Sequence, residues 1–338
     1  MRAWIVHQPA RFGAGRSPLI ATELADPTPG PTQVRVRVSV CGVCRTDLHL
    51  AEGDLPPRRP DTVPGHEVVG VVDRVGDRCE LFRGGERVGV AWLRMTCGRC
   101  RFCLSGKENL CSDARFTGWD ADGGYAQFTV VDERFAYRLP DEFDDEHAAP
   151  LLCAGIIGYR ALQRAELPRD GRLGIYGFGG SAHLTAQIAI AQGATVHVLT
   201  RSARARELAL ELGAASAADA YAQPPEPLDS AILFAPVGEL VPVALRALDK
   251  GGTLAIAGIH LSALPPLDYH AELFDERTLR SVTANTRADG AAFLRAAADA
   301  GVRVVTTPYP FESADVALAD LAADRVDGAA VLRVAGTR

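Results

Sequence analysis

Four cysteines, Cys97, Cys100, Cys103 and Cys111, follow the pattern Cys-x2-Cys-x2-Cys-x7-Cys. Two-residue gaps let a tight loop turn its sulfurs inward, and Gly98, Arg99, Ser105 and Gly106 suit such a loop. A tetrahedral Zn²⁺ accepts four thiolates at about 2.3 Å each. A closed four-thiolate set leaves no position for a substrate, so the tetrad reads as a structural zinc site. Two rivals are weaker. Four unrelated buried thiols rarely show this spacing. An iron–sulfur cluster also uses two-residue gaps, but Cys111 stands too far along for the bacterial ferredoxin run and no proline follows it.

A second group of metal-ligand residue types is scattered. Cys44 lies in Cys41-Gly42-Val43-Cys44-Arg45-Thr46-Asp47-Leu48-His49, His66 in Pro64-Gly65-His66-Glu67, and Cys153 in Pro150-Leu151-Leu152-Cys153-Ala154-Gly155. On spacing alone Cys153 is better read as a small buried core residue, and His66 equally as a satisfied core histidine.

Gly177-Phe178-Gly179-Gly180-Ser181-Ala182 follows a strand signal and opens a helical one. Gly177 permits a tight turn, Gly179 lets a pyrophosphate approach the backbone, and the small Ala182 lets helix and strand pack closely. Gly180 stands at the helix start, whose N–H groups and dipole suit phosphates. The next strand signal ends at Leu199-Thr200-Arg201-Ser202. Thr200 occupies the place where NAD enzymes carry an acidic residue for the ribose 2′-hydroxyl. The missing carboxylate, with Arg201 and Arg204 nearby, points to NADP(H); the rival is that these arginines are a solvated helix face.

The elements that must position these residues change character near residue 146. Before it, Gln33-Val34-Arg35-Val36-Arg37-Val38-Ser39-Val40 alternates polar and apolar residues, the period of a half-buried strand. Residues 67–75, 86–90 and 126–131 are further β-branched runs, punctuated by glycine and proline. Short strands with tight turns predict a barrel-like β domain. After it, strand signals at 173–176, 195–199, 231–234 and 253–257 alternate with helical ones at 181–192 and 204–212. That alternation predicts parallel βαβ units. From about Gly301 the chain returns to short mixed elements.

The length of 338 residues suggests about two domains. With 47% hydrophobic and 23% charged residues the chain is of ordinary globular composition, which excludes disorder and collagen-like repeats. The longest uncharged run, residues 251–267, is broken by glycine, threonine, serine and proline, so no membrane span is expected. A net charge of −6 and no basic block argue against nucleic-acid binding. The opening Met1-Arg2-Ala3-Trp4 lacks the apolar stretch of a secretion signal. A cytoplasmic location is therefore expected, where clustered cysteines are more often metal ligands than disulfides.

Taken together, Cys-Gly-Val-Cys-Arg-Thr-Asp-Leu-His, Pro-Gly-His-Glu, the tetrad, Pro-Leu-Leu-Cys-Ala-Gly and Gly-Phe-Gly-Gly resemble the zinc-dependent medium-chain alcohol dehydrogenases in order and spacing over essentially the whole chain. The likeness is greatest to the bacterial branch grouped with cinnamyl-alcohol-dehydrogenase-like enzymes. The resemblance implies a catalytic zinc held by Cys44, His66 and Cys153, with Glu67 as a neighbouring or transient ligand. Asp47 would accept the other ring N–H of His66 and set its tautomer. Cys41 becomes a packing residue, because the family's zinc cysteine directly precedes Arg-Thr-Asp. Cys79 has no assigned partner. An ion at an open position would acidify an alcohol hydroxyl, and Thr46 and His49 would relay the proton outward. Trp92 and Trp119 would line the substrate cleft. Arg45 and Arg287 become additional cofactor candidates.

The expected architecture is α/β. A GroES-like β-barrel catalytic domain comprises residues 1–146 and is completed by 289–338. A Rossmann domain with a doubly wound parallel sheet comprises 147–288, and the active site lies in the cleft between the two. The expected activity is zinc-dependent, reversible oxidation of a primary or secondary alcohol with NADP(H) favoured over NAD(H). The substrate is a small alcohol or aldehyde, and the assembly a homodimer or homotetramer. The alternatives are a polyol or amino-alcohol dehydrogenase of the same fold and a non-enzymatic zinc- or nucleotide-binding regulator. A zinc-ribbon nucleic-acid binder is disfavoured by the acidic charge.

Overall fold

The computed structural model describes residues 1–13, 17–258 and 261–334. The last four residues of the expected 289–338 tail lie outside the described residues. The chain divides into two units. The first comprises 1–153, 286–295 and 304–338, and the second 154–285 and 296–303.

In the first unit, β1 (Arg2–Val6) pairs antiparallel with β2 (Leu19–Glu23). The organising strand is β3 (Gln33–Val43), whose alternating Val34, Val36 and Val38 are fully buried. It pairs antiparallel with β4 (Val68–Val75), which pairs with β5 (Arg87–Val90). β6 (Leu93–Met95) and β7 (Arg115–Phe116) form a separate ribbon. β8 (Phe128–Asp132) also pairs with β3, and β9 (Ala136–Arg138) with β5. The alternating pattern ends at Val40, yet the strand runs to Val43 because the tail segment Ala329–Arg333 pairs with it, Leu332 opposite Cys41 and Ala330 opposite Val43. The core gathers Val34, Val36, Val68, Val88, Leu93 and Tyr125 with Leu318 and Leu332 of the tail. Each such side chain contributes about 1.5–3 kcal/mol by leaving water.

The unit extends to Cys153 rather than ending near residue 146. The turn Pro150–Leu152 is buried, and Leu152 lies where a side chain at Gly89 of β5 would collide with it. Packing, not composition, sets this boundary.

The second unit is a six-stranded sheet of β10 (Arg172–Tyr176), β11 (Thr195–Leu199), β12 (Ser216–Ala218), β13 (Leu228–Leu233), β14 (Leu248–Ile256) and β15 (Thr278–Ser281). The spatial order is β12-β11-β10-β13-β14-β15 and every pairing is parallel. This is the doubly wound order 3-2-1-4-5-6 that binds dinucleotides. The helices Gly180–Ala191 and Ala203–Glu211 lie within a residue of the helical signals at 181–192 and 204–212. The helix Ala154–Ala165 has no counterpart in the sequence reading. Its glycines at 155 and 158 weaken the pattern, and Gly158 is required because a side chain there would meet Thr185.

Candidate functional site: two thiol-rich metal sets and a dinucleotide turn

β3 delivers Cys44 to the start of a helix, Arg45–Glu52, which carries Thr46, Asp47 and His49. The reason is local. Asp47 is the third helical residue, and its Oδ2 accepts from the backbone N–H of Cys44 at 2.9 Å, satisfying an otherwise orphaned donor. The other oxygen of Asp47 accepts from the backbone N–H of Gly65 at 3.0 Å and lies 3.2 Å from Nδ1 of His66. One buried carboxylate thereby fixes the helix cap, the Pro64–Gly65 turn and the imidazole. Gly65 adopts φ +95°, and a side chain there would strike Tyr125 and Cys41. In the neutral ring, Nδ1 donating to Asp47 would leave the lone pair on Nε2, which lies 3.2 Å from Sγ of Cys153.

Cys44, His66, Glu67 and Cys153 come together, one donor atom from each lying within 4.8 Å of all the others. The two sulfurs are 3.8 Å apart. Two thiolates on a tetrahedral Zn²⁺ would be separated by about 3.8 Å, given bonds of about 2.3 Å. The electrostatics point the same way. Hydrogen bonding from the Cys153 thiol, against the opposing effect of burial, holds Cys44 well below the ordinary thiol range. The same pairing pushes Cys153 up. Burial pushes the Glu67 carboxyl up. Burial would lower His66, but the charge and hydrogen bond of Asp47 outweigh it and raise the ring. Buried thiol, carboxyl and imidazole donors gathered around one point are a set that a cation satisfies. The residues present fit zinc.

Cys41 points elsewhere. It is buried in the core of the first unit, with its thiol 3.5 Å from the Gly42 carbonyl. Thr46 Oγ1 lies 3.8 Å from Sγ of Cys44. His49 is half-buried, its Nδ1 3.4 Å from Oδ2 of Asp54. Arg45 is exposed and ion-paired with Asp324. Beside His66 stands an aromatic wall. Trp92 meets the imidazole edge-on at 5.0 Å and stacks on Phe116 at 4.9 Å and on Trp119 at 6.0 Å. Arg58 covers the outer face of Trp119 at 3.7 Å and bonds Asp120. Phe116 and Arg58 escaped the sequence reading because no local pattern marks them.

The tetrad also assembles. Sγ of Cys103 lies 3.9 Å from that of Cys97 and 3.5 Å from that of Cys100, and the backbone N–H of Cys97 reaches Sγ of Cys111 at 3.4 Å. Backbone N–H groups of Arg99 and Cys100 hold Cys97 down to about 6, while burial pushes Cys111 up to about 11. Four sulfurs within 4.8 Å of one another, with no His, Asp or Glu ligand atom joining the group among the described residues, fit a closed structural ion.

Arg287, a cofactor candidate by resemblance, grips Glu108 inside the tetrad loop with its guanidinium, through Nε at 3.0 Å and Nη2 at 2.7 Å, and its backbone N–H adds a third bond at 2.9 Å. It also lies over the Phe135 ring at 4.5 Å. The helix Arg287–Ala300 begins there because Thr286 and Asp289 cap each other, a Thr-x-x-Asp signal legible in the sequence.

In the second unit, Gly177 takes φ +85°, and a side chain on it would overlap the backbone of Ala235. Gly179 caps the helix Gly180–Ala191, and a Cβ there would stand in open space, so the cradle at the helix N-terminus is clear. Ala182 is fully buried against the sheet. This arrangement fits a pyrophosphate. Thr200 is buried, and its N–H donates to Ala218 at 2.9 Å. Arg201 and Arg204 are exposed. Arg206, which the sequence reading passed over, donates to the carbonyls of Thr200 and Arg201 at 2.8 and 2.9 Å and holds that turn.

An open thiol–imidazole metal set, a closed thiol tetrad and a doubly wound nucleotide sheet in one chain define a zinc-type dehydrogenase. Residues 30–141 match the alcohol dehydrogenase GroES-like domain family and residues 180–299 the zinc-binding dehydrogenase family. The chain is 59% identical to a Mycobacterium tuberculosis protein named "Probable alcohol dehydrogenase AdhA", covering 99% of this chain and 97% of that one. It is 32% identical to an alcohol dehydrogenase of Geobacillus stearothermophilus, covering 94% and 97%. A solved cinnamyl alcohol dehydrogenase from Sorghum bicolor superposes with a TM-score of 0.87 at 30% identity, covering 100% and 98%. This chain belongs to the zinc-dependent medium-chain alcohol dehydrogenase family, an oxidoreductase acting on alcohols. No described helix is long and apolar enough to cross a membrane.

Proposed function

We propose that alcohol oxidation, and the reverse reduction of aldehydes or ketones, takes place at Cys44, His66 and Cys153, with NADP(H) favoured over NAD(H). The observation that carries this reading is the gathering of four donor atoms within 4.8 Å beside a threonine hydroxyl. Cys44, His66 and Cys153 hold the ion, and Asp47 keeps His66 in the tautomer that presents Nε2. When bound, Zn²⁺ supplies Lewis acidity, lowering the pKa of an alcohol hydroxyl and polarising a carbonyl. Thr46 Oγ1 would accept the alcohol proton as its own hydroxyl proton passes outward, and His49, three residues along the same helix face, would take up a proton on the way and release one to solvent. Trp92, Phe116 and Trp119 exclude water from one side.

The N–H groups at Gly180 and Ser181 receive the pyrophosphate. Thr200 puts no carboxylate against a 2′-phosphate, and Arg201 and Arg204 offer guanidinium groups. Arg45, exposed beside Cys44, is free to exchange Asp324 for a phosphate. The tetrad holds a second, structural zinc. All eight cysteines are unbridged, which supports a reducing, cytoplasmic setting.

The test is His49→Gln. Alcohol oxidation is expected to slow by up to about 10²-fold near neutral pH and to recover at alkaline pH, where hydroxide takes the proton directly. An unchanged pH–rate profile removes His49 from the path.

A further inference from the structure

The helix Gly180–Ala191 carries a single titratable side chain, His183, and buries it: the residue is only 8% exposed, among the buried Ala182, Leu184, Thr185 and Ala186. Its Nδ1 lies 3.3 Å from the carbonyl oxygen of Gly179. A carbonyl can only accept, so Nδ1 carries the proton in either charge state of the ring. Nε2 is buried and has no hydrogen-bond partner. Burial, helped by the charge of Arg303, holds the ring below the ordinary histidine range against the pull of the Gly179 and Gly180 carbonyls. The ring is therefore neutral, and Nε2 is a lone pair that faces no donor. An orphaned buried acceptor destabilises, and a leucine at 183 would avoid it. The compensation must lie in what Nδ1 does.

Gly179 caps the helix without a side chain, so the orphan N–H groups of the first turn stay open to a ligand. His183 makes two bonds to the Gly179 carbonyl, from its backbone N–H at 3.1 Å and from Nδ1–H. In a planar trans peptide the C=O and N–H point in opposite directions. A Gly179 carbonyl held along the helix thus fixes the Gly180 N–H of the same peptide outward from the helix start. A helix closed by its first backbone bond alone frays there; the imidazole adds a second bond to the same oxygen.

We propose that His183 is a positioning residue for dinucleotide binding: by holding the Gly179 carbonyl it aims the Gly180 N–H at the pyrophosphate. The proposal rests on the reading of the glycine turn as a pyrophosphate cradle. The pyrophosphate is common to NADH and NADPH, so the effect is the same whichever of them the enzyme favours.

The experiment titrates the full chain with NADPH and with NADH by calorimetry, and records the melting temperature of the nucleotide-free protein. His183→Leu keeps apolar bulk and removes both ring nitrogens. It is expected to bind each nucleotide about three- to tenfold more weakly, as the loss of one net hydrogen bond implies. It is expected to melt at or above the native temperature, because the orphaned Nε2 goes with the ring. His183→Asn puts an amide N–H where Nδ1–H stood and is expected to bring binding back close to the native affinity. Native affinity in His183→Leu overturns the proposal. So does a His183→Leu protein that melts lower or fails to fold, since the ring then serves the helix rather than the turn. An Asn variant that does not recover binding overturns it too. A loss confined to NADPH also does, by placing the effect at the 2′-phosphate. Failure of the native protein to bind either nucleotide would instead remove the reading of the glycine turn itself.

Discussion

At the scale of single residues, the two cysteines of the Cys41–Cys44 segment divide labour by where β3 ends. Cys41 is still paired strand, opposite Leu332, and turns its thiol into the core. Cys44 is the first residue off the strand and the cap of the next helix, which frees its thiol to face Cys153. Cys44→Ala is expected to abolish turnover and to remove one metal ion per chain. Cys41→Ala keeps the metal and most activity, at a stability cost of about 1 kcal/mol for the lost core sulfur. Equal loss of metal from both folded variants would refute the division. Cofactor choice is also a residue-scale matter. A charge-assisted hydrogen bond is worth about 1.5–3 kcal/mol, so native kcat/KM should favour NADPH over NADH by about tenfold to a few hundredfold. Thr200→Asp with Arg201→Ile should move the ratio toward NADH, because the new carboxylate repels a 2′-phosphate and accepts from a free 2′-hydroxyl. A native enzyme that uses NADH as well as NADPH, or a double variant with an unchanged ratio, refutes this assignment.

At the scale of elements, the tetrad loop is anchored to the helix Arg287–Ala300 by Glu108 and Arg287. Burial raises the Glu108 carboxyl, but the Arg287 hydrogen bonds and charge outweigh it and hold the group below the ordinary carboxylate range. A carboxyl depressed in the folded state binds fewer protons there than in the unfolded chain. Its stabilisation is therefore fully present above the unfolded value of about 4.3 and fades as pH falls through the folded one. Glu108→Gln should lower the melting temperature by about 3–12 °C at pH 7. The gap to the native protein should narrow below about pH 4. A gap independent of pH would mean that packing, not charge, makes the anchor. This element pair was half legible. The Thr286–Asp289 capping signal could be read beforehand, but not that Arg287 would spend its guanidinium on a carboxylate 179 positions away.

For the whole molecule, two separate donor sets lead us to expect two zinc ions per chain, of unequal lability. Elemental analysis of protein purified without chelator should give close to two. Chelator should remove first the ion of the three-ligand set, together with activity, and only later that of the tetrad, together with thermal stability. A single ion, or iron with visible absorbance, contradicts this. What the sequence determined by itself is what short-range chemistry encodes: the tetrad, whose four ligands fall within one loop, the glycine turn, and the alternation of strands and helices that becomes a 3-2-1-4-5-6 parallel sheet. Only the tertiary structure decided the rest. Cys44, His66 and Cys153 are brought together by three different elements, and Cys153 joins them because a buried turn carries the first unit past residue 146. Asp47 becomes the hub of the site only once its helix cap, the Gly65 turn and the His66 ring meet. Spacing along the chain reports contacts closed by a few bonds. Contacts closed across a core are set by which surfaces exclude water together, and no local pattern records that.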